Sequence, residues 1–357
     1  MVYLDYAATC PVVKYPQQLY CDVLGERYFF NPNANYAYKE KRLLAEAENR
    51  VKKAIGAKGG KVVFGGTSSQ LIENLFTHIA EETNEYLTVC SIYEHDAMWH
   101  FADQWGGIDS LKHVIQTYHG DKQLIVCLMG VNNLTGEIFP IEEIGKLCHE
   151  RDAFYICDMT AMIGKVSIPA NIDQWCDCAV WSGHKLGTEL GIGAMWVSDC
   201  LDKWLDGFKL HGTPNLAGAL AIADATEDAI GNVKDNVHHW VDLYCYLKKE
   251  LEENGIEYSD VIGGAEWGKW TAAINAIRLP GFNADALQQY LASKQIYVSI
   301  GGSACAEKHD YRVLNAYGLS NDDASEVIRV SFGENSSVED VEALVKGVKE
   351  FKEVYVK

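Results

Sequence analysis

Short apolar runs alternate with amphipathic stretches through the first two thirds of the chain, and that alternation sets the expected architecture. Lys61-Val62-Val63-Phe64 reads as a strand, followed by a Gly/Ser turn and a helix over about 70–81. The runs at 86–90, 123–129, 154–157, 178–181 and 193–197 read as further strands. A helix over about 141–150 is opened by Pro140 and Glu142-Glu143, residues that suit a helix start. Strands that alternate with helices imply βαβ units and a mainly parallel sheet covered on both faces.

After about residue 231 the texture changes. A long amphipathic helix fits 232–254, then a strand at 272–278, a helix at 284–294, strands at 295–299 and 327–332, and a terminal helix from Ser337. The expected division is a large α/β domain at 12–231 and a smaller α+β domain made of 1–11 with 232–357. A length of 357 residues accommodates both. No repeat, low-complexity tract or long linker interrupts the pattern.

Composition narrows the function classes. Hydrophobic residues at 48% and charged residues at 23% are ordinary for a soluble globular protein. A formal net charge of −19 repels nucleic-acid phosphates and anionic membranes, so direct binding to either is not expected. No apolar run reaches the ~20 residues needed to span a bilayer, and Met1 to Tyr6 lacks the pattern of a signal peptide. The 11 cysteines are odd in number and several sit in apolar runs, which reads as reduced thiols in a cytoplasmic protein. Cys176-x-Cys178 has the wrong spacing for a zinc knuckle and no second Cys/His pair nearby; buried strand cysteines are expected there, and no metal.

Candidate chemistry centres on Ser182-Gly183-His184-Lys185. Most lysines are solvated surface charges. Lys185 instead follows an apolar strand and a tight turn, where ligands of open α/β sheets bind. A desolvated lysine there is an imine-forming nucleophile, and the aldehyde it fits is pyridoxal 5'-phosphate. Asp158 ends the preceding strand. Its plain reading is a helix cap; its chemical one is a carboxylate that keeps a cofactor pyridine nitrogen protonated. His95 follows the strand at 86–90 and is either an exposed loop histidine or a ring-stacking acid–base group. Gly65-Gly66-Thr67-Ser68-Ser69-Gln70 places glycines and hydroxyls at a helix start, an anion site without the Gly-Lys-Ser/Thr of a nucleotide loop. Cys305 lies in a small polar stretch with Lys308 and His309 close by, groups that can lower a thiol pKa; its plain reading is a harmless loop thiol.

Taken in order, Leu4-Asp5-Tyr6-Ala7-Ala8-Thr9-Cys10-Pro11, Glu94-His95-Asp96-Ala97, Val131-Asn132-Asn133-Leu134-Thr135-Gly136, Ser182-Gly183-His184-Lys185, Gly302-Ser303-Ala304-Cys305 and Ile328-Arg329-Val330-Ser331 resemble the NifS/IscS-type cysteine desulfurases. These belong to the class V aminotransferase group of pyridoxal-phosphate enzymes. The resemblance spans nearly the whole chain, and the combination is specific where any single motif is weak. It implies the aspartate-aminotransferase-like architecture of fold type I, with a large cofactor-binding domain and a small domain carrying the catalytic cysteine.

The resemblance also implies roles. Lys185 looks like the imine lysine and α-proton shuttle, His95 like the stacking acid–base histidine, and Asp158 like the partner of the pyridine nitrogen. Ser69, with Ser68 as the competing assignment, Ser182 and His184 would hold the phosphate. Thr213 resembles a threonine that reaches the phosphate of the other subunit, which implies a homodimer with composite sites. Asn133 would lie near cofactor and substrate. Arg329 resembles the clamp for the substrate carboxylate. Cys305 resembles the nucleophile that takes sulfur from L-cysteine, leaves L-alanine, and passes a persulfide to an acceptor protein. The acceptor stays open among iron–sulfur cluster assembly, tRNA thiolation, thiocofactor synthesis and DNA phosphorothioation.

Three departures stand out. Asp158-Met159-Thr160-Ala161 lacks the family's glutamine, so the cofactor's ring hydroxyl loses its usual partner. Phe208-Lys209-Leu210-His211 replaces an arginine-rich lead into Gly212-Thr213. The loop after Cys305 is shortened. Two other readings follow: another class V enzyme, such as a selenocysteine lyase, C–S lyase or transaminase, or a degenerate homologue acting as a scaffold.

Overall fold

The computed structural model describes the chain except residues 13, 26–30, 84, 263–267, 303–309 and 357, and the side chains of 14–17, 19 and 20. Its contacts group the chain into two compact units. One comprises Met1–Cys10, Asn132–Ile138 and Val233–Lys357; the other comprises Pro11–Val131 and Phe139–Asn232.

Strand β1 (Val2–Tyr3) opens the chain and belongs to the smaller unit. The larger unit follows with helices α1 (Lys14–Gly25) and α2 (Tyr38–Ala54), strand β2 (Lys61–Gly65), helix α3 (Ser68–Glu82) and strand β3 (Tyr86–Ser91). Then come α4 (Asp96–Trp99), β4 (Gln104–Gly106), α5 (Ile108–Thr117), β5 (Gln123–Cys127), α6 (Ile141–His149) and β6 (Phe154–Asp158). It closes with β7 (Cys178–Ser182), β8 (Gly193–Val197), α7 (Asp199–Trp204) and α8 (Leu216–Gly231). Among the described residues, seven strands form one sheet in the order β2-β8-β7-β6-β5-β3-β4.

The sheet is mainly parallel, as the alternation of strands and helices predicts. Strand β8 is the exception: it runs antiparallel to both β2 and β7. Only the short segment 183–192 joins β7 to β8, too little for the crossover a parallel neighbour needs. Strands β7 and β8 are buried at every position, which matches their unbroken apolar runs. Helix α3 covers the sheet with Leu71, Ile72, Leu75, Phe76 and Ile79, packed in one core with Ile125, Ile156, Val180 and Met195. That spacing is the apolar face of a 3.6-residue period.

The smaller unit has helix α9 (Val233–Glu253), strands β9 (Ser259–Asp260) and β10 (Ile274–Arg278), helix α10 (Ala284–Ser293) and strands β11 (Ile296–Tyr297) and β12 (Ser299–Ile300). Helices α11 (Arg312–Ala316) and α12 (Asn321–Ala324), strand β13 (Val327–Ser331) and helix α13 (Val338–Tyr355) complete it. An antiparallel sheet runs β12-β13-β10-β9, and β1 pairs in parallel with β11. The N-terminal segment is stitched into this unit. Asp5 bridges to Ser331, the Ser331 amide donates to the Leu4 carbonyl at 2.8 Å, and the Ala7 amide donates to Ser331 Oγ at 2.9 Å. Helix α13 starts on a capping box in which Ser337 and Asp340 exchange side-chain and backbone hydrogen bonds.

Candidate active site

In the larger unit, β2, β3, β5, β6 and β7 all run the same way, so their carboxyl ends share one edge of the sheet. Ligands of open α/β sheets bind at such an edge. The chemistry-bearing residues of this unit end or follow those strands. The start of α3 follows β2, His95 follows β3, Asp158 ends β6, and Ser182 to Lys185 end and follow β7.

Strand β7 stops at Ser182 and turns through a short 3₁₀ segment, Gly183–Lys185. A Cβ at Gly183 would meet Thr188 Oγ1 at 2.3 Å and Ile192 Cγ2 at 2.8 Å, so the turn is packed too closely for any larger residue. His184 and Lys185 are half-buried. Burial, reinforced by the neighbouring Lys185 charge, pushes the His184 imidazole down to about 4. His184 is therefore a neutral hydrogen-bonding ring at neutral pH.

Ser182 meets the beginning of α3. Its Oγ accepts from the Ser68 amide at 2.9 Å, and the two hydroxyls lie 2.8 Å apart. Both serines are buried, whereas Ser69 is exposed on the same first turn. Gly193 of β8 sits in register with Gly65 on one side and Ser182 on the other. A Cβ there would lie 2.7 Å from the Thr67 carbonyl carbon and 2.9 Å from the Ser68 nitrogen. Glycine at 193 is what lets the α3 start approach the sheet.

The sequence expectation placed this helix from about residue 70; it begins at Ser68. Thr67 is its N-cap, with Oγ1 accepting from the Gln70 amide at 3.1 Å, and Gln70 Oε1 in turn accepts from the Gly66 amide at 2.9 Å. The signal was legible as Thr-Ser-Ser-Gln, the Ser/Thr-x-x-Glu/Gln spacing of a capped start. The buried Ser68 amide and the Ser68 and Ser182 hydroxyls at the N-terminus of a long helix fit a phosphate.

Asp158 is 6% exposed, and its Oδ1 accepts from the Thr160 amide at 2.8 Å. One carboxylate oxygen thus serves the local turn that the plain reading anticipates. Ala161 stands where the family pattern has glutamine. His95 is exposed and caps α4, its Nδ1 accepting from the Ala97 amide at 3.2 Å. In the neutral ring that acceptor role puts the proton on Nε2. Glu94 fixes the loop before it: Oε1 accepts from Ser91 Oγ at 2.5 Å and from the Met129 amide at 2.8 Å. Thr213 is exposed, with Asn31 Nδ2 donating to its Oγ1 at 3.4 Å and Asn33 Nδ2 donating to the Gly212 carbonyl at 3.0 Å.

Arg329 and Asn133 both belong to the smaller unit. Arg329 is 7% exposed, and its Nη1 donates to the Asn133 carbonyl at 3.0 Å. Nη2 donates to Asp5 Oδ1 at 2.8 Å and to Ser299 Oγ at 2.9 Å. The Asn133 turn is organised by Asn132, whose Oδ1 accepts from the amides of Leu134 and Thr135, both at 2.9 Å. Sequence reading passed over Asp5, Asn132 and Ser299 as site residues. Cys305, Ser303, Ala304, Lys308 and His309 lie outside the described residues. Cys176 and Cys178 are fully buried, and Cys176 Sγ donates to the Cys178 carbonyl at 3.1 Å. Among the described residues, no group of three or more His, Cys, Asp or Glu could hold a metal, and no helix is long and apolar enough to cross a membrane.

The aminotransferase class-V family model matches residues 2–344. The chain belongs to this family. Its fold is that of the type I pyridoxal-phosphate transferases, and its cofactor is pyridoxal 5'-phosphate. Among similar curated proteins, a cysteine desulfurase IscS of Dictyoglomus turgidum is 27% identical, covering 95% of this chain and 91% of its own length. A cysteine desulfurase IscS of Rickettsia bellii is 26% identical, covering 97% and 89%. Among solved structures, a NifS-like protein from Rickettsia africae superimposes with a TM-score of 0.85 at 21% identity, covering 99% of this chain and all of its own. A structure of SspA in complex with cysteine aligns with a TM-score of 0.73 at 21% identity, over 93% and 99%.

Proposed function

We infer that this chain is a pyridoxal-phosphate-dependent cysteine desulfurase. It takes sulfur from L-cysteine, leaves L-alanine, and carries the sulfur as a persulfide on Cys305 to an acceptor protein. The observation that carries this reading is the alignment of Ser68, Asp158, Ser182, His184 and Lys185 along one sheet edge, in a chain whose curated relatives bear the desulfurase name.

When bound, the cofactor supplies an electron sink for the pair left at the substrate α-carbon. Lys185 would hold the aldehyde and would move the α-proton at its Nζ. Asp158 keeps the proton at the ring nitrogen. Ser68, Ser69, Ser182 and neutral His184 donate to the phosphate, joined by Thr213 of a second copy in a homodimer. His95, its Nδ1 engaged by the Ala97 amide, would hold or release a proton at Nε2. Asn133 lines the substrate site and Arg329 clamps the substrate carboxylate. The Cys305 thiolate attacks the substrate sulfur: an S–S bond forms, the C–S bond breaks, and its electron pair ends as a C–H bond of alanine. In this reading the unit of Pro11–Val131 and Phe139–Asn232 binds the cofactor, and the unit of Met1–Cys10 and Val233–Lys357 carries the cysteine. The expected division at 12–231 differs in that Asn132–Ile138 joins the smaller unit, where the Glu137 bridge to Trp270 holds it. A cytoplasmic setting suits a thiol that must stay reduced.

The test is sulfide and alanine release from L-cysteine with a thiol reductant, wild type beside Cys305→Ala. Equal yields of both products are expected from wild type. The variant should keep its cofactor and lose both products. Wild-type protein that binds cofactor and releases neither would overturn the reading. Ala161 favours the scaffold as a second reading. A cofactor absorbance in purified protein that vanishes in Lys185→Ala, together with turnover, removes it.

A further inference from the structure

The proposed carboxylate clamp is already facing a carboxylate. Arg329 Nη2 lies 2.8 Å from Asp5 Oδ1, and Ser299, its cross-strand neighbour on β12, donates to that same oxygen at 2.8 Å. Asp5 is held rigidly. Its residue bridges to Ser331, and Tyr3 Oη donates to its carbonyl at 3.1 Å. The Arg329 side chain is 8% exposed and that of Asp5 18%. Protein groups nevertheless leave the guanidinium incompletely satisfied, because its buried Nε has no hydrogen-bond partner among the described residues.

We propose that Asp5 is an internal carboxylate competitor that sets how tightly Arg329 holds an amino-acid carboxylate. The idea rests on the reading of Arg329 as the substrate clamp. Two effects of Asp5 oppose one another. It orders the guanidinium, which favours binding by lowering the conformational cost. It also neutralises the guanidinium, so an arriving carboxylate joins an already balanced ion pair and is repelled by Asp5. At a separation this short in a mostly buried setting, the charge effect wins. An asparagine at position 5 keeps an oxygen for Nη2 and Ser299 and removes only the charge. Affinity for the carboxylate should then rise. Weak holding has a use, since L-alanine carries the same carboxylate as L-cysteine and must leave before the next turnover.

The experiment titrates cofactor-loaded wild type and Asp5→Asn with L-alanine and with L-alaninamide by calorimetry. Asp5→Asn should bind L-alanine about fivefold more tightly, the size of one partly screened charge contact, with L-alaninamide unchanged. The KM for L-cysteine and the inhibition constant of L-alanine should fall together. Unchanged or weaker L-alanine binding in Asp5→Asn would overturn the proposal, because a purely structural Asp5 predicts that sign. Should Asp5→Asn fail to fold, Asp5→Ser supplies a second neutral replacement with the same expected sign. Failure of the clamp reading shows separately, as wild type that binds L-alanine and L-alaninamide equally well.

Discussion

Ser182 ends the central strand β7 with its hydroxyl 2.9 Å from the Ser68 amide, so one side chain ties the lysine turn to the start of α3. The contact sits where the proposed phosphate would accept the same donors. Ser182→Ala removes one donor to the phosphate and leaves a buried amide without its acceptor. A hydrogen bond to a charged group is worth about 1.5–3 kcal/mol. Titrating cofactor-free protein with pyridoxal 5'-phosphate should therefore show binding about ten- to a hundredfold weaker. Undiminished affinity in Ser182→Ala would remove Ser182 from the phosphate seat.

Gly193 acts on the same seat through space. Its missing Cβ is what admits the Thr67–Ser68 backbone, at 2.7 and 2.9 Å from where that carbon would stand. Backbone cannot swing aside as a side-chain tip can. Gly193→Ala should push the first turn of α3 away from β7, costing about 1–3 kcal/mol of stability and weakening cofactor uptake as well. Gly231→Ala is the control, since nothing lies within 4 Å of a Cβ there. Thermal unfolding and cofactor titration of the two variants separate the cases; equal behaviour would refute the role given to Gly193.

These relationships mark where the sequence stopped being readable. The apolar runs that became β5, β7 and β8 declare themselves because both faces are covered. The direction of β8 does not, since a run of apolar residues carries no polarity. Helix α8 escaped because every residue from Leu216 to Thr226 is buried, which erases the amphipathic period. Strand β4 escaped for the opposite reason: Gln104 and Trp105 are exposed at the sheet edge and show no alternation. In the site, position at a strand end singled out Lys185 and Asp158 as candidates, and the family resemblance added Arg329. It was blind to Asp5 beside Arg329, because that contact joins opposite ends of the chain and exists only once β13 has recruited the N-terminal segment.

His184 gives the cofactor-free protein a pH signature. Its imidazole is held down near 4 by burial and by Lys185, while in the unfolded chain it titrates near ~6.5. Below that value the unfolded state takes up a proton that the folded state refuses. Stability should fall as pH drops from about 6.5 toward 4. His184→Asn, which cannot protonate, should flatten that part of the curve. The measurement is urea unfolding of both proteins without cofactor at several pH values. Parallel curves would show that His184 is not desolvated as described.

His149 should behave in the opposite sense. Its Nε2 lies 3.0 Å from Asp177 Oδ2, and Asp177 is 4% exposed, with further hydrogen bonds from the Tyr155 amide and Ser198 Oγ. The hydrogen bond to Asp177, against an opposing burial effect, raises the His149 pKa above its usual value. The folded state therefore holds this proton more tightly than the unfolded state. The stabilisation is fully present below about 6.5 and is lost as pH climbs through the raised folded value. His149 is half-exposed, so solvent screening keeps the effect small. In His149→Gln the difference in melting temperature from wild type should be largest near pH 6 and shrink toward pH 8.5. A difference that stays constant across that range would mean the pair contributes packing alone and no charge.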